Sequence, residues 1–164
     1  MRLKDIKWAV MAIAVILLDQ IVKFIVCRDL SSTDSITVIP RVLNFVNVQN
    51  TGAAFSMFSE KTAILSVVSI VFCIAVLVLW FYKKEKHFLL KLSLMLLFSG
   101  ALANALDRIF RHYVVDFIET EFIKFPVFNI ADIAITFGTV FLMIYLIFFD
   151  KDKPDEKREN EEQE

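Results

Sequence analysis

Residues 62–82 read TAILSVVSIVFCIAVLVLWFY, an apolar run that contains no charged side chain. A hydrocarbon core about 30 Å thick needs roughly 20 helical residues to cross it, so this run predicts a membrane-spanning segment. A helix is expected because backbone polar groups in lipid must be satisfied within the segment. Three further apolar runs lie at about 8–26, 88–106 and 130–149. The sequence therefore predicts an all-α membrane protein with four transmembrane helices.

The composition of the 164-residue chain agrees with this prediction. Hydrophobic residues make up 57% of the chain, which has 17 Phe but only 3 Gly and 3 Pro. A soluble core needs less apolar surface, whereas side chains that face lipid must be apolar as well as those that pack together. The formal net charge of −1 provides no basic field for nucleic acid, so no nucleic-acid partner is expected.

The distribution of lysine and arginine predicts the orientation of the helices. Cations cluster before the first helix, between helices two and three, and after the fourth helix. By the positive-inside rule, both termini are expected in the cytoplasm, and the segments at about 27–61 and 107–129 are expected outside. Residues 1–150 are predicted to form one domain. Residues 151–164 have no hydrophobic side chain and are predicted to be a disordered cytoplasmic tail.

The outer segments and the first helix carry further signals. The stretches ITVIP at 36–40 and VLNFVNVQN at 42–50 are rich in β-branched and aromatic residues, so short strands are expected there, forming a small cradle on the membrane surface. A short outer loop is expected at 107–129. The first helix is interpreted as uncleaved, because Asp19 and Lys23 interrupt its apolar run and no convincing cleavage site follows it.

Cysteines and histidines give no sign of a metal site. Cys27 and Cys73 lie in or beside apolar runs and are predicted to be small packing residues. His87 and His112 lie in different connecting segments, and neither belongs to a metal-binding motif. No metal and no organic cofactor is expected.

Eight polar residues break the apolar pattern, and in the predicted orientation all of them fall toward the outer side. Ionisable groups at membrane depth are costly, so by default they indicate function. The eight are Asp19, Asn50, Asn104, Asp107, Arg108, Asp116, Asn129 and Asp132. Asp116 is the hardest to explain by structure alone, because Val and Phe flank it in YVVDFIE, a segment too short to cross the membrane. This segment is expected to fold back against the helices.

Two of the polar pairs also have structural explanations. Asp19 and Lys23 are four residues apart, so they form a helical ion pair or brace a site. Asn129 and Asp132 have the spacing of an N-cap and the third helical residue after it. Helix capping alone could account for that second pair.

A polar group also marks the end of the third helix. Asn104 and Arg108 share one helical face, and Asp107 lies beside them. An Asp–Arg pair can close a helix or anchor it at the membrane interface. Asn104 lies too deep for anchoring, and a packed polar network is expected around it.

Buried carboxylates of this kind are consistent with several functions. Two of them held close together cannot both ionise easily, and a shared proton would let them hydrolyse a peptide bond with a bell-shaped pH profile. No serine has an obvious base nearby in the sequence.

A small proton-coupled transporter or channel is the alternative, because buried Asp residues often mark proton pathways. A non-enzymatic membrane scaffold is a third hypothesis, but it leaves the cost of Asp116 and Asp132 unexplained.

Five short segments give the chain a resemblance to lipoprotein signal peptidases, also called signal peptidase II. They are DQIVK at 19–23, NTGAAF at 50–55, GALANALDR at 100–108, VVDFI at 114–118 and FNIAD at 128–132. All five occur in the order found in that family and span most of the chain. The resemblance implies an intramembrane aspartic endopeptidase that removes signal peptides from diacylglyceryl-modified prolipoproteins. The cut would fall just before the lipidated cysteine of the lipobox.

The resemblance also implies roles for individual residues. Asp116 and Asp132 would form the catalytic dyad. The residues expected to bind substrate or support the site are Asp19, Lys23, Asn50, Gly52, Asn104, Asp107, Arg108 and Asn129. Among these, Asp107 is expected to be the more structural one. Ala103 stands where relatives often have Gly, and its methyl group could shift helix packing without touching the dyad.

The implied setting is the bacterial cytoplasmic (inner) membrane, with the active site near the outer leaflet. The expected partners are diacylglyceryl-prolipoprotein substrates and membrane lipids, and the protein is expected to be a monomer. Phe45, Phe55 and Phe58 would contact the acyl chains, the signal helix or ordinary lipid.

Overall fold

A computed structural model of the chain describes residues 3–52, 62–82 and 87–150, with side chains from residue 6 onward. Its helices are α1 (Leu3–Asp29), α2 (Thr62–Tyr82), α3 (Phe88–Arg111) and α4 (Ile130–Phe148), and its strands are β1 (Ser35–Ile39), β2 (Leu43–Asn50) and β3 (Val114–Thr120). All four helices are long and apolar enough to cross a membrane. The predicted fold class, four transmembrane helices with a small β-rich cradle, is confirmed.

Helix α3 lies at the centre of the bundle and packs against α1, α2 and α4. In the 18-residue apolar stretch of α3 that could span the membrane, 61% of the residues are buried. The corresponding share in the other three helices is between 11% and 22%. The exposed side chains of α2 are apolar, as Val67 and Val71 illustrate. This pattern is expected where lipid rather than water surrounds the helices. Polar residues on α3 are therefore the ones that the other elements can enclose.

Small residues bring α3 and α4 close together. A methyl group added to Gly100 would clash with the backbone oxygen of Ala131, and one added to Gly138 would lie 2.9 Å from Leu97 Cγ. Gly100 lies one helical turn before Asn104, and Ala131 immediately precedes Asp132. The close approach of the two helices therefore positions polar groups just beyond it.

The three strands form one antiparallel sheet in the order β1–β2–β3, so that β2 is central. The sequence predicted strands only in the first outer segment, and β3 is an addition to that prediction. The segment around Asp116 does fold back against the helices, as expected. Val115 and Phe117 of β3 join Val26 of α1 and Leu30, just after the end of that helix, in a buried apolar cluster.

The helices differ from their predicted lengths mainly at charged ends. The predicted span 8–26 lies within the longer α1, and α3 continues past the predicted end at 106. Asp107 and Arg108, which the sequence analysis put at the start of an outer segment, are therefore helical. The extension is possible because Asp107 forms an ion pair with Arg111 one turn later on the same helix.

Some of the sequence predictions fall outside the residues that the structure describes. Phe55 and Phe58 lie at 53–61, and the predicted tail is 151–164.

Helices α2 and α4 agree closely with their predicted spans. Helix α2 has the predicted bounds, and α4 ends one residue early, at Phe148.

Candidate active site

Asp116 and Asp132 face the same cavity at one end of the helix bundle. Asp116 lies in β3 and is 3% exposed, whereas Asp132 lies in the first turn of α4 and is half-buried. The cavity has a volume of about 460 Å³, and its polar lining also includes Asn50, Asn104 and Arg108. The two carboxylates that the sequence singled out thus come from a strand and a helix that meet at one site.

Asn129 connects the two aspartates. Its Nδ2 donates a hydrogen bond to Asp116 Oδ1 at 2.6 Å, and its Oδ1 accepts one from the backbone N of Asp132 at 3.0 Å. Asp132 Oδ2 accepts from the backbone N of Asn129 at 3.1 Å, which completes a capping box at the start of α4. The N-cap interpretation is therefore confirmed, and the same cap also contacts the second aspartate.

Asn104 holds Asp132 from the side of α3. Its Nδ2 donates to Asp132 Oδ1 at 2.8 Å, while its Oδ1 accepts from Lys23 Nζ at 2.9 Å and from Asn129 Nδ2 at 3.2 Å. A lysine ammonium can only donate hydrogen bonds, so the amide oxygen of Asn104 must face Lys23. Its amide nitrogen must then face Asp132.

Asn50 holds the other oxygen of Asp116. Its Nδ2 donates to Asp116 Oδ2 at 2.8 Å, and its Oδ1 accepts from the backbone N of Gly52 at 2.9 Å. Gly52 thus acts through its backbone, and its carbonyl oxygen also lies 3.5 Å from Arg108 Nη2. With these contacts, each of the four carboxylate oxygens of Asp116 and Asp132 accepts a hydrogen bond from a nitrogen.

The surroundings of Asp116 favour its neutral form. The pKa of the Asp116 carboxyl is raised from 3.8 to about 6, mainly by burial and also by the neighbouring Asp132, while the hydrogen bonds from Asn50 and Asn129 lower it. A carboxyl group with this pKa can gain or lose a proton near neutral pH, which general acid–base chemistry requires.

Behind the cavity lies a buried ionic cluster. Lys23 Nζ lies 2.7 Å from Asp19 Oδ2 and 2.8 Å from Asp107 Oδ2, and the side chains of all three residues are fully buried. Asp19 Oδ1 accepts from the backbone N of Ala131 at 2.9 Å, and Asp107 Oδ2 accepts from that of Val115 at 3.3 Å. The Asp19–Lys23 pair is therefore both a helical ion pair and a connection between α1, α3, α4 and β3.

Two members of this cluster, Gln20 and Arg111, were not among the predicted site residues. Gln20 Nε2 donates to Asp107 Oδ1 at 3.1 Å and to the backbone oxygen of Ala103 at 3.2 Å. Arg111 forms an ion pair with the same carboxylate. The signal was present in the sequence, because Asp107 and Arg111 have the same i, i+4 spacing as Asp19 and Lys23. Ala103 is fully buried at this contact between α1 and α3.

Other residues that the sequence singled out lie away from the cavity. Phe45 packs edge to face against Phe117, with ring centroids 5.7 Å apart. His87 is the N-cap of α3, and His112 ends the same helix with a φ of 65°. Within residues 3–52, 62–82 and 87–150, no group of three His, Cys, Asp or Glu side chains could hold a metal ion.

Known proteins resemble this chain over nearly its whole length. A family model described as signal peptidase (SPase) II matches residues 11–148. A lipoprotein signal peptidase of Lactobacillus gasseri is 36% identical over 150 residues, which cover 92% of this chain and 97% of the relative. One of Staphylococcus haemolyticus is 39% identical over 141 residues, which cover 84% of this chain and 89% of the relative.

The solved structures agree. A bacterial membrane enzyme determined by the in meso method at 2.3 Å resolution superimposes with a TM-score of 0.82 at 34% identity, over 90% of this chain and 91% of that one. A second, at 1.9 Å resolution, gives a TM-score of 0.77. The resemblance first noted in five short segments is therefore confirmed, and the chain belongs to the signal peptidase II family.

Proposed function

We propose that this chain removes signal peptides from diacylglyceryl-modified prolipoproteins by cutting just before the lipidated cysteine, with Asp116 and Asp132 as the catalytic pair. Membership of the signal peptidase II family supports peptide-bond cleavage in prolipoproteins. The comparisons give no support to a transporter or channel. One observation carries the assignment of the pair: both carboxylates line one cavity and are joined through Asn129.

The chemistry follows from two carboxyl groups that share one proton. The ionised carboxylate takes a proton from a water molecule while the water oxygen bonds to the scissile carbonyl carbon. The neutral carboxyl donates its proton to the carbonyl oxygen, which gives a tetrahedral diol. When the diol collapses, the C–N bond breaks and the first carboxyl, which took the proton from water, gives it to the leaving nitrogen. A diol hydroxyl returns a proton to the second carboxylate as the new carboxyl group of the product forms. One water is consumed, and the pair returns to its starting state.

The neighbouring amides support this exchange by keeping the carboxylates oriented. Asn50, Asn104 and Asn129 each direct a side-chain N–H toward an aspartate oxygen. Each carboxylate oxygen keeps a second lone pair for water or for the shared proton. Because the amides are already aligned, little reorganisation is needed when charge moves between the two aspartates.

Arg108 is proposed to bind the substrate backbone. Its guanidinium lines the cavity, and its two hydrogen bonds, to Asn104 O and Gly52 O, are long at 3.4 and 3.5 Å. Its Nε is buried without a partner among the described residues. A guanidinium has five N–H donors, so several remain for carbonyl oxygens of an extended peptide.

The membrane setting fits a lipidated substrate. The cation distribution favours both termini in the cytoplasm, and the cavity would then open near the outer leaflet. Its apolar wall includes Ile133 and Phe137 of α4, and Phe137 is 53% exposed on the face of a membrane-spanning helix. A substrate held in the leaflet by its acyl chains could reach the cavity sideways.

The proposal is tested with purified protein and a diacylglyceryl lipobox peptide. We expect Asp116→Asn and Asp132→Asn to lower cleavage by about a thousandfold or more, because neither variant can share a proton between two carboxyls. Asn at position 132 keeps an oxygen for the capping box, so the fold should survive. Asp34→Asn is the matched control, since Asp34 is exposed and bonds only to the Ser31 turn among the described residues.

Two results would contradict separate parts of the proposal. Normal cleavage by either folded dyad variant would exclude Asp116 and Asp132 as the catalytic pair. Equal cleavage of the same peptide without its diacylglyceryl group would leave the pair intact but remove the requirement for a lipidated substrate.

A further inference from the structure

The ionic cluster behind the cavity is electrically balanced only if Arg111 is counted. Asp19 and Asp107 contribute two negative charges, and Lys23 and Arg111 contribute two positive ones. The first three side chains are fully buried, whereas that of Arg111 is 26% exposed. An uncompensated charge in such a poorly solvated region is energetically costly. A neutral residue in place of Arg111 would leave the cluster with one negative charge that has no partner.

We propose that Arg111 is a positioning residue of this peptidase, which balances the charge of Asp107 and thereby holds both aspartates of the dyad in place. This inference rests on the proposed function, namely that Asp116 and Asp132 are the catalytic pair. Arg111 is not among the residues that line the cavity, so it acts through its neighbours.

The first route runs from Asp107 to Asp116. Arg111 and Gln20 both contact Asp107 Oδ1, which leaves Oδ2 for Lys23 and for the backbone N of Val115. Val115 immediately precedes Asp116 in β3. The Val115 carbonyl also accepts a hydrogen bond from the bridging Asn129 at 3.4 Å. The direction of the Asp107 carboxylate therefore sets the position of the strand that carries Asp116.

The second route runs from Asp107 to Asp132. Asp107 and Asp19 together fix the ammonium group of Lys23, whose third contact is Asn104 Oδ1. That contact determines which end of the Asn104 amide faces Asp132. A displaced Lys23 would allow the amide to turn and present its oxygen to the carboxylate, which would remove a donor and add a repulsive contact.

Arg111 also contributes to the charge of the ionic cluster behind the dyad, through its ion pair with Asp107. The charged or titratable groups that surround Asp116 and Arg111 are Asp19, Lys23 and Cys27 on α1, Asp107 and Arg108 on α3, and Asp132 on α4. The imidazole of His112 is exposed next to Arg111. Loss of the Arg111 cation would leave the ionic cluster with a net negative charge behind the dyad. That charge would disfavour ionised Asp116, so activity would need a higher pH.

The experiment compares Arg111→Gln with Arg111→Lys in the same peptide-cleavage assay, over a range of pH. We expect Arg111→Gln to lower kcat about tenfold with KM within about twofold, since the residue does not line the cavity. Its pH profile of kcat/KM should move upward by roughly half a unit or more. Arg111→Lys retains the charge and should keep the original profile, with a smaller fall in kcat.

Two controls separate this effect from general loss of charge. Arg28→Gln removes a cation from an exposed pair with Asp29, and His112→Asn removes the neighbouring titratable group at a position with left-handed backbone. Both should keep the original kcat and pH profile.

A third variant tests the contact to Asp107 without a change of charge. Gln20→Met removes the second contact to Asp107 Oδ1, so it should lower kcat about threefold or more with an unchanged pH profile.

Specific outcomes would overturn the inference. An unchanged pH profile in folded Arg111→Gln would leave Arg111 with a structural role only. If that variant does not fold, full activity of Gln20→Met would overturn the inference instead. Asp116→Asn, measured in parallel, keeps the two proposals distinct. If it is inactive while the Arg111 series shows no shift, only the positioning role fails, whereas an active Asp116→Asn contradicts the proposed function itself.

Discussion

Asn129 performs two tasks that few other side chains could combine. A helix N-cap needs an acceptor for the N–H groups of the first turn, whereas an ionised aspartate needs a donor. The amide of Asn129 provides both, because its oxygen accepts from the Asp132 backbone and its nitrogen donates to Asp116. Aspartate at this position would cap the helix equally well, but it would put a third carboxylate beside the other two.

Substitution of Asn129 by serine should separate these two tasks. Serine is a good N-cap but has no amide donor that can reach Asp116. We expect Asn129→Ser to unfold at nearly the wild-type temperature and to lose cleavage about tenfold or more. Asn129→Ala should lose the activity and also about 1 kcal/mol of stability. Both are measured by thermal unfolding in detergent and by peptide cleavage. Wild-type activity in the serine variant would show that the Asn129–Asp116 contact has no catalytic importance.

Among the elements, the α3–α4 pair determines whether the site forms at all. The two glycines at its contact have different neighbours. A methyl group on Gly100 would meet the backbone of Ala131, next to Asp132, whereas one on Gly138 would meet Leu97 and the Ser93 carbonyl deeper in the bundle. The first contact therefore controls the start of α4, and the second controls its middle.

Alanine at each glycine should give similar losses of stability and different losses of activity. Overpacking costs about 1–3 kcal/mol, and replacing a helical glycine by alanine recovers up to about 1 kcal/mol. We therefore expect both variants to unfold a few degrees early. Gly100→Ala should also lose cleavage about tenfold, because α4 must move at Asp132, whereas Gly138→Ala should stay within about threefold. Equal activity in the two variants would mean that the α3–α4 distance near Asp132 is not critical.

The sequence predicted the four helices well, but it missed the charged ends of α1 and α3. Lipid requires a long apolar run, so hydropathy identifies each crossing. At the ends, charged residues remain helical when a partner on another element neutralises them, as Lys23 does for Asp107. A single sequence does not reveal that partner. Strand β3 was missed because its first four residues are all buried, which removes the alternation of exposed and buried residues typical of strands.

The polar residues that the sequence singled out do meet at one end of the bundle, but most of the contacts that connect them were not predicted. Eight polar positions stood out because they are costly in lipid, but their spacing alone left capping, an ion pair and a catalytic dyad all open. The family resemblance directed attention to Asp116 and Asp132. How the two residues are connected depends on the contact between a sheet and a helix, and no sequence spacing encodes the bridging role of Asn129.

At the scale of the whole molecule, the fold collects the polar residues of the site at one end of the helix bundle and leaves apolar side chains exposed along the described helices. Four apolar helices and membership of the signal peptidase II family imply a location in the bacterial inner membrane. The cavity and the sheet lie at the same end of the bundle, where α3 ends and α4 begins. The side of the membrane on which this end lies therefore decides which leaflet supplies the substrate.

Cysteine labelling tests the predicted orientation directly. After Cys27 and Cys73 are replaced by alanine, Lys124→Cys adds a thiol in the exposed connection between β3 and α4, beside the cavity residue Phe125. Lys153→Cys adds one in the predicted cytoplasmic tail. We expect a membrane-impermeant maleimide to label position 124 in intact spheroplasts and position 153 only after permeabilisation, because cations favour the cytoplasmic side. The reverse pattern would put the dyad at the inner leaflet, where a prolipoprotein anchored in the outer leaflet could not bring its scissile bond to Asp116 and Asp132.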